Sequence, residues 1–226
     1  MIFWGPPGSG KTTLAKVICK HTQSKFKQLS AVTSGLAHVR EVLQEAKQQR
    51  RLTGQACVLF VDEVHRFNKL QQDVFLPAIE DGTIVLIGAT TENPSFELNA
   101  ALLSRCRVFV LQKLDSSDIE ILIRRALSDT ENGLQSQHPE IDDDSIRALA
   151  IAADGDARTA LNALEMAVNA AATEAIDGVA RVSAVHVRNA LDRSHVLYDK
   201  TGDQHYDVIS ACTCHSCVND TDCVSA

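Results

Sequence analysis

Residues 5–12 read Gly5-Pro6-Pro7-Gly8-Ser9-Gly10-Lys11-Thr12. This stretch fits the pattern G-x-x-x-x-G-K-[ST] at every fixed position. Its three glycines allow backbone angles that a side chain would forbid. The N–H groups of such a loop can then point inward and hold phosphate oxygens at the N-terminus of the next helix. The stretch therefore predicts a phosphate-binding loop between a strand and a helix.

The residues on both sides of this loop supply the setting that the motif requires. Residues 1–4 are apolar and predict a buried strand, and residues 13–19 predict a helix. Lys11 would reach the β- and γ-phosphates of a nucleotide, and the Thr12 hydroxyl would bind Mg²⁺. The alternative is a glycine-rich turn that matches by chance. The predicted nucleotide-binding residues are Gly5, Pro6, Pro7, Gly8, Ser9, Gly10, Lys11, Thr12, Thr13 and Asp62.

Two acidic residues follow a second apolar run. Residues 56–61 are continuously apolar and rich in β-formers, which predicts a central strand buried on both faces. Asp62 and Glu63 come directly after it, where an α/β sheet places its ligands. We expect Asp62 to hold Mg²⁺ through its water shell and Glu63 to polarise the attacking water. The alternative is a surface turn with two solvated acids.

A third buried strand, residues 83–87, delivers Thr90 and Thr91 to the same edge of the sheet. A hydroxyl there can form a hydrogen bond with the attacking water or with the γ-phosphate. Either threonine could instead cap a helix or a turn.

Composition limits the class of protein. The chain has 226 residues, of which 45% are hydrophobic, enough for one large and one small domain. No apolar run is long enough to span a membrane, and no signal peptide is visible. A net charge of −7 is not that of a whole-surface nucleic-acid binder, although a local basic patch stays possible. Cys19, Cys57 and Cys106 lie beside apolar residues and predict buried free thiols.

Strands alternate with helices as far as residue 111, and helical periodicity replaces them from Lys113 on. We therefore predict an α/β fold, with a parallel sheet flanked by helices over residues 1–112 and a small all-helical domain over 113–193. Arg105 lies at the edge of the first domain and could reach a neighbour's phosphate, or it is simply solvated or paired. Arg158 lies in the first turn of its helix, against the helix dipole, which hints at a role with phosphates. Its alternative is a salt bridge with an adjacent aspartate.

Taken together, these residues resemble the AAA+ ATPases of the clamp-loader clade. Residues 5–12 match Walker A, and residues 58–63 match Walker B. Thr91 falls at the family's sensor 1, with Thr90 and Asn93 as neighbours that could share the role. The string Ser104-Arg105-Cys106 is similar to the clade's Ser-Arg-Cys, whose arginine acts in trans, and residues 155–158 are similar to sensor 2. The resemblance implies that Glu63, Thr91, Arg105 and Arg158 are catalytic.

Two longer strings resemble one family more specifically. Residues 62–73 read DEVHRFNKLQQD, and residues 88–106 read GATTENPSFELNAALLSRC. Both look like the replication-associated recombination protein A family, which includes the yeast maintenance-of-genome-stability ATPase and the animal Werner-helicase-interacting ATPase. The resemblance implies Mg²⁺-dependent, DNA-stimulated ATP hydrolysis at stalled or damaged forks. It also implies replication and repair partners, and tetramers assembled through a C-terminal helical domain.

The chain departs from that family at both ends. The resemblance implies a segment before the first strand that helps to enclose the adenine, and we expect this chain to lack it. We expect residues 194–211 to begin the connection to the oligomerisation domain. Residues 212–226 form a divergent tail, which we predict to be disordered. Zn²⁺ binding is the alternative, through Cys212, Cys214, Cys217, Cys223 and His215, although their spacing is not a usual zinc pattern.

We therefore expect an ATP-hydrolysing module that moves its helical lid within an oligomer on forked or junction DNA. The alternative is a truncated nucleotide-binding or regulatory form with little hydrolysis. A standalone kinase is disfavoured by the helical second domain and by the two arginines. We expect this chain by itself to be a weak, mostly monomeric ATPase. Its tail suggests a spliced eukaryotic gene, and thus the nucleus, with the bacterial cytoplasm as the alternative.

Overall fold

The computed structural model describes residues 1–130, 133–175 and 178–199. The chain divides into two compact units. The first comprises Met1–Asp115 together with the short segment Gly155–Ala157. The second comprises Ser116–Asp154 and the described residues from Arg158 on. The four cysteines and His215 of the tail, for which zinc was considered, lie outside the described residues.

A five-stranded parallel sheet forms the centre of the first unit, in the order β2-β3-β4-β1-β5. Its strands are β1 (Ile2–Trp4), β2 (Phe26–Ser30), β3 (Cys57–Asp62), β4 (Ile84–Thr90) and β5 (Val108–Val110). The apolar run of β3 is buried almost throughout, as expected for a central strand with both faces covered. The parallel sheet predicted from the sequence is confirmed.

Helices cover both faces of this sheet because successive strand residues point to opposite sides. They are α1 (Lys11–His21), α2 (Leu36–Thr53), α3 (Lys69–Asp73), α4 (Leu76–Glu80), α5 (Pro94–Glu97) and α6 (Ala100–Arg105). One hydrophobic cluster contains Ile2 and Leu59 of the strands and Val39 of α2. The other contains Phe3 of β1 and Ala15 of α1. The first unit therefore has a three-layer α/β architecture.

Pro77 begins a helix instead of ending one. The apolar pattern of residues 69–78 by itself favours one helix that Pro77 would end. The structure instead has α3 and α4, and Pro77 lies in the first turn of α4. A backbone N–H in that turn has no partner within the helix, so proline is tolerated there and starts the helix rather than ending it.

The helices predicted for the second unit are confirmed, although the all-helical prediction did not include the small sheet that it also contains. Its helices are α7 (Ser116–Ser128), α8 (Asp143–Ala152), α9 (Ala157–Glu174, whose first residue belongs to the first unit) and α10 (Ala184–Asp199). Its core includes Ile119, Leu149 and Leu164, each fully buried. A small parallel sheet of β6 (Pro139–Ile141) and β7 (Ala180–Val182) adds to these helices. Residues 130–140 are polar and by themselves favour a loop. A three-residue strand such as β6 is too short for its alternation to be detected in the sequence.

The thiols of Cys19 and Cys57 are free and buried, as predicted, while Cys106 is only partly buried. Burial is the main cause that raises the pKa of both buried thiols, and the nearby Cys57 thiol adds to the effect on Cys19. These two cysteines therefore pack as small apolar side chains. No helix within the described part of the chain is both long and apolar enough to cross a bilayer.

Candidate functional site

The predicted phosphate loop connects β1 to the first turn of α1. Gly8 and Gly10 have φ angles of 67° and 84°, so both need the left-handed conformation that glycine adopts without strain. Gly5 is different, because its φ is not positive. A Cβ atom there would lie 2.5 Å from the Leu111 carbonyl oxygen, so this position needs glycine for space rather than for its angles. Gly8 and Gly10 are thus required for their backbone conformation, and Gly5 is required because a side chain would not fit.

Lys11 is folded back onto the loop that precedes it. Its ammonium donates hydrogen bonds to the carbonyl oxygens of Gly5 and Pro6, both at 2.8 Å. The residue is only 8% exposed, and a buried ammonium needs such acceptors to offset its desolvation. The Ser9 hydroxyl donates to the Pro6 carbonyl oxygen as well, at 2.8 Å. The positive charge is therefore held inside the curve of the loop.

Gly8 also lies against the Gly155–Ala157 segment of the first unit. A Cβ atom on Gly8 would lie 2.0 Å from Asp156 Oδ1 and 2.7 Å from Asp156 Cα. Nothing lies within 4 Å of the corresponding position on Gly10. The two glycines therefore form a matched pair, since both have positive φ but only Gly8 is in close contact with another segment.

We expect Gly8→Ala to destabilise the protein more than Gly10→Ala does. An alanine at positive φ costs about 1–2 kcal/mol at either position, and only at Gly8 does the new methyl group also displace Asp156. Thermal unfolding measures the difference, and roughly 1 kcal/mol corresponds to about 2–4 °C for a chain of this size. Equal melting temperatures would show that the Asp156 contact contributes nothing.

The two acidic residues lie at the carboxyl edge of the sheet, as predicted. Asp62 is the last residue of β3, and Thr90 is the last residue of the adjacent β4. β4 in turn pairs with β1, where Trp4 lies opposite Thr90, and the Gly5 N–H donates to the Thr90 carbonyl oxygen at 3.2 Å. The strand order therefore brings the phosphate loop and the acidic motif to one edge of the sheet.

Glu63 has a left-handed backbone, with φ 52° and ψ 44°, and begins a 3-10 turn over Val64–Arg66. Positive φ is uncommon for a residue with a side chain and occurs often at functional sites. The side chain of Glu63 is about one-third exposed, so water can reach its carboxylate. A carboxylate that is one-third exposed, at the same sheet edge as the phosphate loop, is suited to orient a water molecule.

The sequence analysis did not identify His65, which contacts two residues of this edge. Its Nδ1 lies 2.9 Å from Thr90 Oγ1, and its Nε2 lies 3.4 Å from Glu63 Oε2. Thr90 is fully buried, whereas Thr91 is partly exposed and lies just beyond the end of β4. Asn93, a possible neighbour in the sensor role, instead caps α5 by accepting a hydrogen bond from the Ser95 N–H. The histidine follows the acidic pair by two residues, but that spacing does not show its contact with Thr90, which lies 25 positions away in the chain.

Arg105 is the last residue of α6, and its guanidinium is bound to Glu80 of α4. Its Nε and Nη2 lie 2.7 and 2.6 Å from Glu80 Oε1, and Nη1 donates to the Ala101 carbonyl oxygen at 2.9 Å. The side chains of both charged residues are substantially exposed, at 38% and 52%. An ion pair of this kind is worth about 0–1 kcal/mol, so a strongly charged ligand can compete for the arginine.

Arg158 belongs to the second unit and is the second residue of α9. It is exposed and makes contacts of its own. The structure therefore gives its position in the helix, and its predicted role with phosphates stays a prediction.

The residues present fit a nucleotide with Mg²⁺. The left-handed glycines shape a loop whose interior already holds the Lys11 ammonium. Thr12 and Asp62 carry the hard oxygen ligands that Mg²⁺ prefers. In the parts of the chain that the structure describes, no three His, Cys, Asp or Glu side chains are grouped to hold a metal alone. Mg²⁺ is usually bound by one or two carboxylates together with substrate phosphates.

Comparison with known proteins agrees with this geometry. Residues 1–114 match the family model of the ATPase family associated with various cellular activities (AAA), and residues 135–213 match that of the AAA C-terminal domain. Replication-associated recombination protein A of Escherichia coli K12 is 51% identical over 213 residues, covering 93% of this chain and 47% of that protein. ATPase WRNIP1 of Dictyostelium discoideum is 46% identical over 224 residues, covering 93% of this chain and 25% of that protein.

A solved structure is also similar. The Thermotoga maritima RuvB Holliday junction branch migration motor matches with a TM-score of 0.63 and 28% sequence identity. The match covers 84% of this chain and 60% of that one. The chain spans about half the length of the bacterial relatives that it matches.

Proposed function

This chain belongs to the ATPase family associated with various cellular activities and is a relative of replication-associated recombination protein A and WRNIP1, and we therefore propose that it binds ATP and hydrolyses it while acting on DNA. The observation that carries the proposal is the shared sheet edge. Strand β3 brings Asp62 and Glu63 to the edge where the loop after β1 holds Lys11, and β4 pairs with both of these strands.

Each residue of this edge has a distinct part in the proposed reaction. The loop N–H groups and Lys11 bind the phosphates, and Lys11 exchanges its two carbonyl acceptors for phosphate oxygens. Thr12 and Asp62 would hold Mg²⁺, which when bound neutralises charge on the phosphate oxygens. Glu63 orients and polarises the attacking water as a general base. Thr91, just beyond β4, can form a hydrogen bond with that water or with the γ-phosphate.

Two arginines complete the proposed site. Arg105 lies at the end of α6 and would meet the phosphate of a neighbouring subunit. Arg158, near the start of α9, would act as the second sensor. We propose residues 1–112 as the nucleotide-binding domain, 113–193 as the lid and 194–211 as the start of a connection to an oligomerisation domain.

The DNA-directed part of the proposal is supported by the relatives. One carries replication and recombination in its name, and the similar solved structure is a branch migration motor on Holliday junctions. We propose that the protein acts on forked or junction DNA and that it works as a homo-oligomer. Relatives come from bacteria and from a eukaryote, so the bacterial cytoplasm and the nucleus are both proposed locations.

We expect Lys11→Ala to lose nucleotide binding as well as hydrolysis. The change removes the ammonium that the loop holds at 2.8 Å from two carbonyl oxygens. Titration with a fluorescent ATP analogue measures binding, and steady-state turnover with and without forked DNA measures activity. Lys16→Ala, on the exposed side of α1, is the matched control and should bind normally.

Three outcomes of this experiment are informative. The proposal is supported if the parent chain hydrolyses ATP and if Lys11→Ala loses ATP binding while Lys16→Ala keeps it. Binding without turnover in the parent would favour the alternative, a nucleotide-binding or regulatory form. Equal ATP binding by Lys11→Ala and the parent would contradict the assignment of the loop.

A further inference from the structure

His65 joins the proposed general base to the end of a core strand. The ring Nδ1 is 2.9 Å from Thr90 Oγ1, and Nε2 is 3.4 Å from Glu63 Oε2. The histidine side chain is only 10% exposed. We propose that His65 is a positioning residue that holds the Glu63 carboxylate by linking it to Thr90. This inference rests on the proposed hydrolysis of ATP and adds a residue that acts through Glu63.

The turn that carries both residues is anchored to the sheet. Val64, between Glu63 and His65, is fully buried. A Cβ atom on Gly88 of β4 would lie 3.2 Å from Val64 Cγ1 and 2.8 Å from Ile2 Cδ1. Glycine at this position therefore lets Val64 pack closely onto β4. Because the residue between them is fixed, Glu63 and His65 are held in one orientation at the edge of the sheet.

Thr90, the other end of the link, is fixed as well. It is fully buried, and its hydroxyl oxygen accepts a hydrogen bond from the Glu92 N–H at 3.0 Å. Its carbonyl oxygen accepts the hydrogen bond from the Gly5 N–H at 3.2 Å. Thr90 is thus bound by its backbone to the start of the phosphate loop and by its side chain to His65.

The chemistry of the ring suits this role. The Thr90 hydroxyl has one proton and two acceptors within reach, His65 Nδ1 at 2.9 Å and the Glu92 carbonyl oxygen at 3.2 Å. When the hydroxyl donates to Nδ1, the ring carries its proton on Nε2, which lies 3.4 Å from one carboxylate oxygen of Glu63. That oxygen is then restrained by the ring, and the other is left for a water molecule. A glutamate side chain that is one-third exposed would otherwise sample several rotamers. A base held in place by a second residue is more effective than a mobile one.

The test measures single-turnover ATP hydrolysis with protein in excess, so that slow chemistry is still detected. General-base assistance is worth roughly 10²–10⁴-fold, and we expect His65→Ala to lose on the order of 10-fold of it. Affinity for a fluorescent ATP analogue should stay unchanged, so the loss lies in the rate and not in binding. His65→Gln can still place an amide N–H toward Glu63 and should retain more of the rate.

Thr90→Val keeps the shape of the side chain and removes the hydroxyl, so it tests the link without changing His65. We expect a rate loss of similar size. The double variant His65→Ala/Thr90→Val should be no slower than the slower single variant, because both changes break the same link. Adding His65→Ala to Glu63→Gln should change nothing further, since the histidine acts through the glutamate.

The outcomes separate this inference from the proposed function. If Glu63→Gln hydrolyses ATP as fast as the parent, the role of Glu63 is wrong and His65 has nothing to position. If Glu63→Gln abolishes hydrolysis while His65→Ala matches the parent, only the positioning role is overturned. A parallel loss of ATP affinity, or a Thr90→Val variant with full rate, would also overturn it. If His65→Ala does not fold, the Gln and Thr90→Val variants decide the question.

Discussion

Glu63→Gln should bind ATP as well as the parent chain and lose nearly all turnover. The substitution keeps the size and polarity of the side chain and removes only its charge and its capacity to accept a proton. Glu63 follows the strand that ends in Asp62, and its side chain is open to water. General-base assistance contributes roughly 10²–10⁴-fold, and we expect a loss within that range. Fluorescent-nucleotide titration and phosphate release measure the two quantities separately.

The matched control for this prediction is Glu97→Gln. Glu97 is an exposed carboxylate on α5, so its replacement makes the same change of charge outside the proposed site. It should leave both binding and turnover unchanged. Turnover by Glu63→Gln at the parent rate would mean that another group activates the water. Weak ATP binding by Glu63→Gln would instead assign the residue to the nucleotide and not to the water.

The sequence predicted those parts of the fold that depend on local patterns. The apolar run of β3 and the glycine pattern of residues 5–12 are contiguous, and each is specific in itself. Since the strands are parallel, their carboxyl ends had to meet at one edge, so Asp62 was expected near the loop. The order of the strands, which places β4 between β3 and β1, cannot be predicted from any single segment of the sequence.

Apart from the position of Pro77 in α4, the features that were missed depend on contacts between distant segments. His65 meets Thr90 across 25 positions of the chain, and Arg105 meets Glu80 across the same separation. β6 and β7 are only three residues long and pair across about 40 positions. Neither the periodicity nor the composition of the sequence predicts which distant residues will be in contact. A polar residue inside a motif string, such as His65, could be singled out only once the turn and β4 had been placed together.

Arg105 supplies the prediction with the largest expected effect. Stabilisation of transition-state charge by an arginine from a neighbouring subunit contributes roughly 10³–10⁵-fold. Within this chain the guanidinium is bound to Glu80, which is 52% exposed. Because such an ion pair is weak, a phosphate group can take its place. We therefore expect Arg105→Ala to abolish most turnover in the assembled protein while ATP binding is retained.

Arg107→Ala is the matched control, since Arg107 lies two residues away and its guanidinium is placed 5.6 Å from the centre of the Phe109 ring. It should lose little turnover. The decisive experiment uses a full-length background, in which oligomers are expected. It mixes Arg105→Ala chains with Lys11→Ala chains, each inactive alone, and verifies mixed oligomers by native mass spectrometry. A mixed interface pairs one intact loop with one intact arginine, so part of the activity should return. Verified mixed oligomers without any recovery would show that Arg105 does not act on its neighbour's nucleotide.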